Sequence, residues 1–536
     1  MGHRQPSDYE SVTPARRFVP ARADAPGATS PVSDWPLPPS LDQAEDVLNF
    51  AATNTDETTP RQTSTTAPAQ PTDGRTDNAK TNSPSVLLLN RRGHLFTFIG
   101  LFTFTVVLYF RPYELMPALS SFTSMAFAIA VPTLGIFLIT QFMLEGNLTT
   151  RTREINLVLL LVGTALLSIP LALNRGEAWD EFNGTFIKAV LMFIVMVNAV
   201  RSERRLRALL WLALAISCFL AVNAISDYRA GRLNDMGERV AGAVGGMFGN
   251  PNDMALHLVT MVPIAVVFFL VRRNPLAKLL YAICAVLLVA GIVVSFSRGG
   301  FLGLVGAGGV LAWKLGRRHK LAVGLSVVLA IGAFVALASG DYGARVSTIT
   351  SVSSDLTGSS SQRQAILIRS IQVSLRHPLF GVGMGNFHIV SIHELVSHNA
   401  FTQVSADLGL TALVLYVWFI VAPLRALRRI ERETFAARRT TRFYYYFAVG
   451  LQAALVGYMV SSFFASVAYN FYVYYLVGYA VCLRRLYEAA CAGEAQAASA
   501  QATNAESATV IADASATITR DETAPESSPP YSERYA

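Results

Sequence analysis

The stretch FGNPNDMALHLVTMVPIAVVFFLVRR, residues 248–273, decides the fold of this chain. Its first residues are typical of a helix start, because Asn250 suits the N-cap and Pro251 suits the first helical position. An apolar run long enough to cross a bilayer follows, and it stops at Arg272 and Arg273. The stretch therefore predicts a membrane-spanning α-helix with a polar motif at one end and a basic anchor at the other.

The rest of the chain repeats this design. Of its 536 residues, 52% are hydrophobic and only 15% are charged, which fits a multi-spanning membrane protein and not a soluble one. The apolar runs predict an all-α fold, a polytopic integral membrane protein with about 12 transmembrane helices. We place these helices near residues 94–110, 117–143, 155–173, 184–200, 206–225, 253–271, 276–297, 300–315, 321–339, 401–424, 444–466 and 469–483.

Basic residues mark every second loop between these helices. By the positive-inside rule these loops are cytoplasmic, and so are both tails. The other loops are predicted to face outward, among them a long one at about 226–252 and a large extracytoplasmic loop at 340–400, between helices 9 and 10. The basic positions are Arg91, Arg92, Arg151, Arg153, Arg201, Arg204, Arg205, Arg207, Arg272, Arg273, Lys278, Lys314, Arg317, Arg318, Lys320, Arg425, Arg428, Arg429, Arg432, Arg438, Arg439, Arg442, Arg484 and Arg485.

The two ends of the chain have a different composition. Residues 1–88 and 491–536 are rich in small and polar residues and lack periodic apolar positions. Such segments cannot bury enough apolar surface to fold, so both are predicted to be disordered cytoplasmic tails. Residues 89–490 form the predicted membrane domain.

Four short polar motifs interrupt the apolar helices. They are GNPND at 249–253, SRGG at 297–300, HPLFGVGMGN at 377–386 and SHN at 397–399. The charge pattern puts all four on the outward side of the membrane. A membrane protein that gathers its unusual polar residues on one face is typical of an enzyme that works at that face.

Two of these motifs hold residues suited to anion or proton chemistry. The planar guanidinium of Arg298, next to two glycines, suits a phosphate, and contact with lipid head groups is the alternative. His398 is able to take a proton from a hydroxyl near pH 7, and a capping role is the alternative. Asn250, Asn252 and Asp253 form either a well-built helix start or a site for an anionic ligand.

The large outward loop contains a predicted amphipathic helix, residues 363–377, that would lie along the membrane surface. Arg363, at its start, is predicted to point into the site. Arg369 and Arg376 flank its apolar stripe, and contact with lipid head groups is the alternative for both. The stripe consists of Ala365, Ile368, Ile371 and Leu375.

Two further polar groups lie near the predicted outward face. Arg111, after the first helix, either pairs with Glu114 or lines the entrance of the site. His388, His393 and His398 are five residues apart, which fits no zinc pattern, so no metal site and no cofactor are predicted. The sequence shows no soluble nucleotide-binding domain, and nucleic acid is not a predicted partner.

With these residues assembled, the chain resembles the O-antigen ligase and polymerase superfamily of bacterial envelope polysaccharide assembly. The resemblance covers about 90–485 and is carried by the order and spacing of FGNPND at 248–253, SRGG at 297–300, HPLFGVG at 377–383 and SHNAF at 397–401. The motif RPYE at 111–114 is similar to a variant seen in exopolysaccharide or O-glycosylation ligases.

The resemblance implies a metal-independent glycosyl transfer with inversion at the outer face of a bacterial cytoplasmic (inner) membrane. The donor is a glycan on undecaprenyl diphosphate, and the acceptor is a hydroxyl of the lipid A core, a growing polysaccharide or a protein. Arg298 and Arg363 would hold the diphosphate, and Arg369 and Arg376 compete with Arg363 for this role. His398 would deprotonate the acceptor, while Asn252 and Asn399 would position sugar hydroxyls.

Two other function classes fit the same composition. A flippase or exporter of lipid-linked saccharide should carry ionisable groups at mid-membrane depth, where Lys188 is the main candidate. A non-catalytic component of a polysaccharide assembly complex differs only in lacking activity. A hydrolase with two carboxylates is disfavoured, because the outward loops show no paired-carboxylate pattern.

The predicted topology is tested with fusion reporters. A reporter near residue 350 should signal the outer compartment, and one near residue 430 should signal the cytoplasm, because the charged loops alternate. Paired reporters that distinguish the two compartments measure this in cells. The reverse pattern would overturn the topology and the outward site together.

Overall fold

The computed structural model describes residues 93–115, 119, 122, 124–232, 240, 244–316, 359–436 and 441–521. All regular secondary structure in these residues is helical, which confirms the predicted all-α class. The predicted N-terminal tail at 1–88, the predicted span at 321–339 and residues 340–358 of the large loop lie outside the described residues.

The α-helices are numbered here in chain order. They are α1 (Leu95–Phe110), α2 (Pro112–Leu115), α3 (Met125–Glu145), α4 (Arg153–Ser168), α5 (Arg175–Glu181), α6 (Ile187–Ala199), α7 (Glu203–Arg229), α8 (Pro251–Val271), α9 (Pro275–Val294), α10 (Arg298–Leu315), α11 (Ser359–Arg376), α12 (Phe387–Val390), α13 (Ala400–Leu408), α14 (Leu410–Thr434), α15 (Arg442–Ser461) and α16 (Phe471–Asp521). A π-helical turn, Phe182–Phe186, joins α5 to α6, and 3₁₀ turns lie at Ile169–Leu171, Gly246–Phe248, Ile392–Glu394 and Ser462–Phe464.

Within the described residues, nine helical segments are long and apolar enough to cross a membrane. The chain is therefore a polytopic membrane protein, as predicted. The predicted spans at 300–315 and 469–483 fall on α10 and the start of α16, which are not among the nine, so the total of 12 stays a prediction. The nine are Leu95–Glu114, Met125–Glu145, Arg153–Leu171, Arg175–Ala199, Glu203–Arg229, Pro251–Val271, Pro275–Val294, Leu410–Thr434 and Arg442–Phe464.

Small residues allow α8, α10 and α15 to pack at backbone distance. A Cβ added at Gly300 of α10 would lie 2.7 Å from the Cβ of Ala255 in α8. A Cβ added at Gly457 of α15 would lie 2.9 Å from Val259 in α8 and 3.1 Å from Ala307 in α10. Larger side chains at these positions would push the helices apart. The packing therefore sets the starts of α8 and α10 side by side.

Buried ion pairs tie the predicted basic loops together at the opposite ends of the helices. Glu154, at the start of α4, is fully buried and accepts two hydrogen bonds from Arg484 of α16, at 2.7 and 2.8 Å. Arg201 pairs in the same way with Glu145, and both side chains are almost completely buried. A charge buried in this region is stable only with such a partner. The pairs bring predicted basic loops onto one face of the bundle, and the cytoplasmic location of that face remains a prediction.

The helix α16 extends beyond the membrane region. The sequence predicts a disordered tail from residue 491, whereas the structure continues the helix to Asp521. This part is rich in alanine, the best helix former, and it prolongs an existing helix without needing a new nucleus. Residues 494–505 are exposed, so intrinsic propensity rather than packing maintains the helix there.

Replacing Glu154 by alanine tests the importance of the buried pair. Glu154→Ala leaves the charge of Arg484 with one partner fewer, and we expect the free energy of unfolding to fall by about 3 kcal/mol. Thermal unfolding of the purified protein in detergent measures the change. The control is Glu203→Ala, which removes a half-exposed pair with Arg207 and should cost no more than about 1 kcal/mol. Equal effects of the two variants would contradict the prediction.

Candidate functional site

The starts of α8 and α10 lie together on one face of the bundle, which we call the motif face. Asn250 caps α8, since its side chain accepts a hydrogen bond from the backbone N–H of Asn252 at 2.9 Å. Ser297 caps α10 by accepting a hydrogen bond from the N–H of Gly300 at 3.1 Å. The Ser297 hydroxyl also donates to Oδ1 of Asn252 at 2.9 Å. Two of the four predicted motifs therefore meet through a direct hydrogen bond.

Arg298 is the first residue of α10 and follows a strained turn. The preceding Phe296 has φ 51°, in the left-handed region that is unfavourable for residues with a Cβ. The following Gly299 packs so closely on Phe464 that an added Cβ would lie 2.6 Å from the Phe464 Cβ. The carbonyl of Gly299 accepts a hydrogen bond from Ser461 at 3.2 Å. The backbone that carries Arg298 is thus fixed by its own cap and by the end of α15.

His398 has a left-handed backbone as well, with φ 52°. Its backbone N–H donates to the hydroxyl of Ser466 at 2.8 Å. The next residue, Asn399, caps α13, because its side chain accepts hydrogen bonds from the N–H groups of Phe401 and Thr402 at 2.9 and 3.2 Å. The SHN motif is therefore a rigid helix start that carries the histidine.

The connection between α15 and α16, residues 461–470, bridges the two parts of the site. The connection contacts Gly299 and His398. It also contacts residues at both ends of α13. The ring of Phe463 lies 4.8 Å from the ring of Phe401, measured between centroids. The hydroxyl of Tyr469 donates to the carboxyl of Asp407 at 3.2 Å. A continuous series of contacts therefore joins the start of α10 to the whole length of α13.

Arg363, on α11, lies close enough to His398 for its charge to act on the imidazole. Burial lowers the pKa of His398 to about 4, and the positive charge of Arg363 contributes to this decrease. The imidazole is consequently neutral at pH 7 and has a lone pair that can accept a proton. Among the described residues, the imidazole ring has no hydrogen-bond partner.

The helix α11 is held against α13 by a small apolar core and by polar contacts. The hydroxyl groups of Ser374 and Ser405 lie 2.8 Å apart in the buried interface. This packing sets the position of Arg363 relative to His398, because the two residues lie on the packed helices or at their ends. The core consists of Ile366, Val373, Val382, Phe387 and Ala406.

The HPLFGVGMGN motif joins α11 to this core through its backbone. The N–H of Val382 donates to the carbonyl of Ala406, and the N–H of Gly383 donates to the carbonyl of Asp407, both at 2.9 Å. Gly383 has φ 106°, which favours glycine there. The N–H of Phe387 donates to the carboxyl of Asp407 at 3.1 Å. The motif therefore fixes the large loop onto α13 rather than contributing a reactive side chain.

The opposite side of α11 carries an exposed apolar stripe. Ile368, Ile371 and Leu375 are 50%, 45% and 67% exposed, while the inward residues of the same helix are buried. Just after α11, the carbonyl of Leu379 accepts a hydrogen bond from the hydroxyl of Thr411, in the first turn of α14, at 3.0 Å. Contact of this stripe with lipid, as the sequence predicts, remains a prediction.

Three other predicted binding residues were Arg111, Arg369 and Asp253. Arg111 pairs with Glu114, whose carboxyl also accepts a hydrogen bond from the N–H of Gly245 at 2.7 Å. Arg369 donates to the carbonyl of Val390 at 2.8 Å and so ties α11 to α12. Asp253 lies in the first turn of α8 and is half-buried. Arg111, through Glu114, therefore helps to fix the backbone at Gly245, and Arg369 fixes the backbone at Val390.

Sequence reasoning missed the contribution of the connection at 461–470. The predicted helices at 444–466 and 469–483 leave almost no room for it, whereas α15 ends at Ser461 and α16 begins at Phe471. The available signal was the segment SSFFASVAYN, whose small and polar residues interrupt the apolar pattern. Nothing local to this segment indicates that it contacts Gly299 and His398, since both lie far away in sequence.

The described residues form a polytopic membrane protein whose polar motifs lie at helix ends. Residues 283–417 match the family model described as O-antigen ligase. The matched region contains Arg298, Arg363 and His398, and it confirms the resemblance to the O-antigen ligase superfamily. The match supports a membrane glycosyltransferase of the O-antigen ligase or polymerase type. A search of curated proteins found no match.

The titration of His398 tests the geometry of the site. Replacing Arg363 by glutamine removes a positive charge that disfavours the imidazolium, so the pKa of His398 should rise above about 4. Nuclear magnetic resonance of protein with ¹³C-labelled histidine measures the midpoint, and the signal lost in His398→Gln assigns it. The control Arg376→Gln, at the other end of α11, should leave the midpoint unchanged. An unchanged titration midpoint of His398 in Arg363→Gln would mean that Arg363 does not lie close enough to His398 to act on it.

Proposed function

We propose that this protein transfers a glycan from undecaprenyl diphosphate to an acceptor hydroxyl at the outer face of a bacterial cytoplasmic membrane. The observation that carries the proposal is the connection among three residues of the matched region. The charge of Arg363 acts on His398, and the 461–470 connection ties His398 to the start of α10, where Arg298 lies. This arrangement supports a site that binds an anion next to a neutral base.

The donor diphosphate binds to the guanidinium groups of Arg298 and Arg363. The adjacent starts of α8 and α10 add the positive ends of two helix dipoles. The N–H groups of Asn252 and Gly300 are already used by the caps, so the arginines provide the hydrogen bonds and the helix ends provide the field. As the sugar–phosphate bond breaks, negative charge builds on the diphosphate, and these groups stabilise the transition state more than the ground state.

His398 acts as the general base for the acceptor hydroxyl. Its neutral imidazole accepts the hydroxyl proton, and a positioned base of this kind contributes about 10²–10⁴-fold to the rate. The free site holds the pKa of His398 low, partly through Arg363. A bound diphosphate offsets that positive charge and raises the pKa. The base therefore becomes stronger when the donor is in place.

The transfer is a single displacement. The acceptor oxygen forms a bond to the anomeric carbon while its proton moves to His398. The bond from that carbon to the phosphate oxygen breaks, and its electron pair stays on the undecaprenyl diphosphate. Because the base and the leaving group lie on opposite faces of the sugar, the anomeric configuration inverts. No metal ion or cofactor takes part in this proposed reaction.

The acceptor belongs to the envelope: a lipid A core, a growing polysaccharide or a protein hydroxyl. The exposed apolar stripe of α11 suits the outer leaflet, in which the lipid part of the donor remains. An acceptor at the membrane surface then meets the sugar at the motif face. A polysaccharide assembly complex is the partner that fits this role.

Alanine variants of Arg298 and His398 test the proposal. Arg298→Ala should lose donor binding and transfer, because it removes an arginine that holds the diphosphate. His398→Ala should keep donor affinity and lose transfer by about 100-fold or more, because only the base is removed. Transfer and binding are measured with the purified protein, a labelled undecaprenyl diphosphate glycan and an acceptor from the same organism.

Arg376→Ala is the matched control. Arg376 is an exposed arginine of the same loop helix, and its variant should transfer normally. Near-normal transfer by His398→Ala would remove His398 from the proposed role. Movement of the labelled lipid across vesicles without any transfer would instead favour the flippase or exporter.

A further inference from the structure

The backbone of His398 is strained, and its ring lacks an orienting partner among the described residues. A catalytic histidine is commonly oriented by a hydrogen bond to its second ring nitrogen. In this protein, backbone contacts on both sides of His398 contribute to its orientation. A non-glycine residue at φ 52° persists only when its surroundings hold it there.

The residues on both sides of His398 are fixed by contacts within the SHN motif. The Ser397 hydroxyl lies 2.7 Å from the Thr402 hydroxyl and donates to the carbonyl of Asn399 at 2.8 Å. Asn399 caps α13. These contacts are local to the start of α13, so they cannot set the distance from His398 to another part of the protein. The hydrogen bond from the His398 N–H to Ser466 joins the histidine itself to the 461–470 connection.

The position of Ser466 is itself fixed on both sides. Before it, Phe464 packs on Gly299 and Ser461 donates to the Gly299 carbonyl. After it, Tyr469 donates to Asp407 at the far end of α13. The backbone around it is buried, with Ala465 4% exposed and Val467 fully buried. The hydroxyl of Ser466 is therefore held at a set distance from the backbone that carries Arg298.

We propose that Ser466 is a positioning residue that holds His398 in its strained conformation and sets its distance from the diphosphate site at the start of α10. This inference rests on the proposed function of His398 as the base. The hydroxyl oxygen accepts the His398 N–H and so stabilises the left-handed backbone from which the imidazole projects. Without it, the histidine relaxes toward an ordinary backbone conformation and leaves its position beside Arg363.

The test compares Ser466→Ala with Ser466→Thr. Alanine removes the acceptor oxygen, whereas threonine keeps it. Ser462→Ala is the matched control, because Ser462 lies four residues away in the same connection and its hydroxyl donates to the carbonyl of Met459 in the last turn of α15, at 3.1 Å. All variants are made in the full chain and assayed with the labelled undecaprenyl diphosphate glycan.

Ser466→Ala should lower kcat by about tenfold, as expected for the loss of one positioning hydrogen bond, while the donor dissociation constant stays within about twofold. The acid limb of the pH dependence of kcat/KM should move upward, since a relaxed His398 leaves its buried position and the charge of Arg363. Ser466→Thr should retain at least about a third of the wild-type kcat, and Ser462→Ala should retain all of it.

Wild-type kcat in Ser466→Ala would overturn the inference, and so would a loss of kcat with no movement of the acid limb. Normal transfer by His398→Ala would contradict the proposed function itself. Normal transfer by Ser466→Ala, with His398→Ala inactive, would contradict only the positioning role of Ser466. If Ser466→Ala does not accumulate as folded protein, Ser466→Cys replaces it, because sulfur is a weak acceptor. The kcat is then expected to decrease in the order serine, threonine, cysteine at position 466. A cysteine variant more active than the threonine variant would contradict the inference.

Discussion

The constraint on which this structure depends is that a backbone inside a bilayer must satisfy its own hydrogen bonds. The described spans are therefore helical, and the left-handed residues that carry motif side chains lie next to helix ends. Arg111, Phe296 and His398, with φ 43°, 51° and 52°, each lie next to a helix boundary. At these positions the left-handed backbone gives the side chain a different direction from the one it would have in a regular helix. The candidate site is consequently built from the starts of helices rather than from their middles.

The two faces of the bundle use charge in different ways. On the face of the basic loops, Arg484 and Arg201 are neutralised by Glu154 and Glu145, so the arginines stabilise the packed helices. On the motif face, the charge of Arg363 acts on a neutral histidine. A positive field beside a neutral base suits an anionic donor and a hydroxyl acceptor. The same residue type thus serves stability at one face and the proposed chemistry at the other.

The connection at 461–470 explains how distant motifs form one site. Each motif builds its own helix start with a local cap, Asn250, Ser297 or Asn399. Local caps fix a helix start but not its distance from the next one. That distance is set by close packing of α8, α10 and α15, and by contacts of the connection with Gly299 and His398. The site therefore depends on a segment whose own sequence shows no reactive group beyond hydroxyls.

The sequence determines the all-α membrane fold, the helix start at Asn250 and the resemblance carried by the four motifs, because apolar length and capping chemistry are local properties. It did not determine the helical extension of α16 or the boundaries around 461–470. Tertiary contacts decide that Arg369 donates to the carbonyl of Val390, that the N–H of His398 donates to Ser466, and that Ser461 donates to the carbonyl of Gly299. These outcomes depend on contacts between residues far apart in the chain, which periodicity and local motifs do not encode.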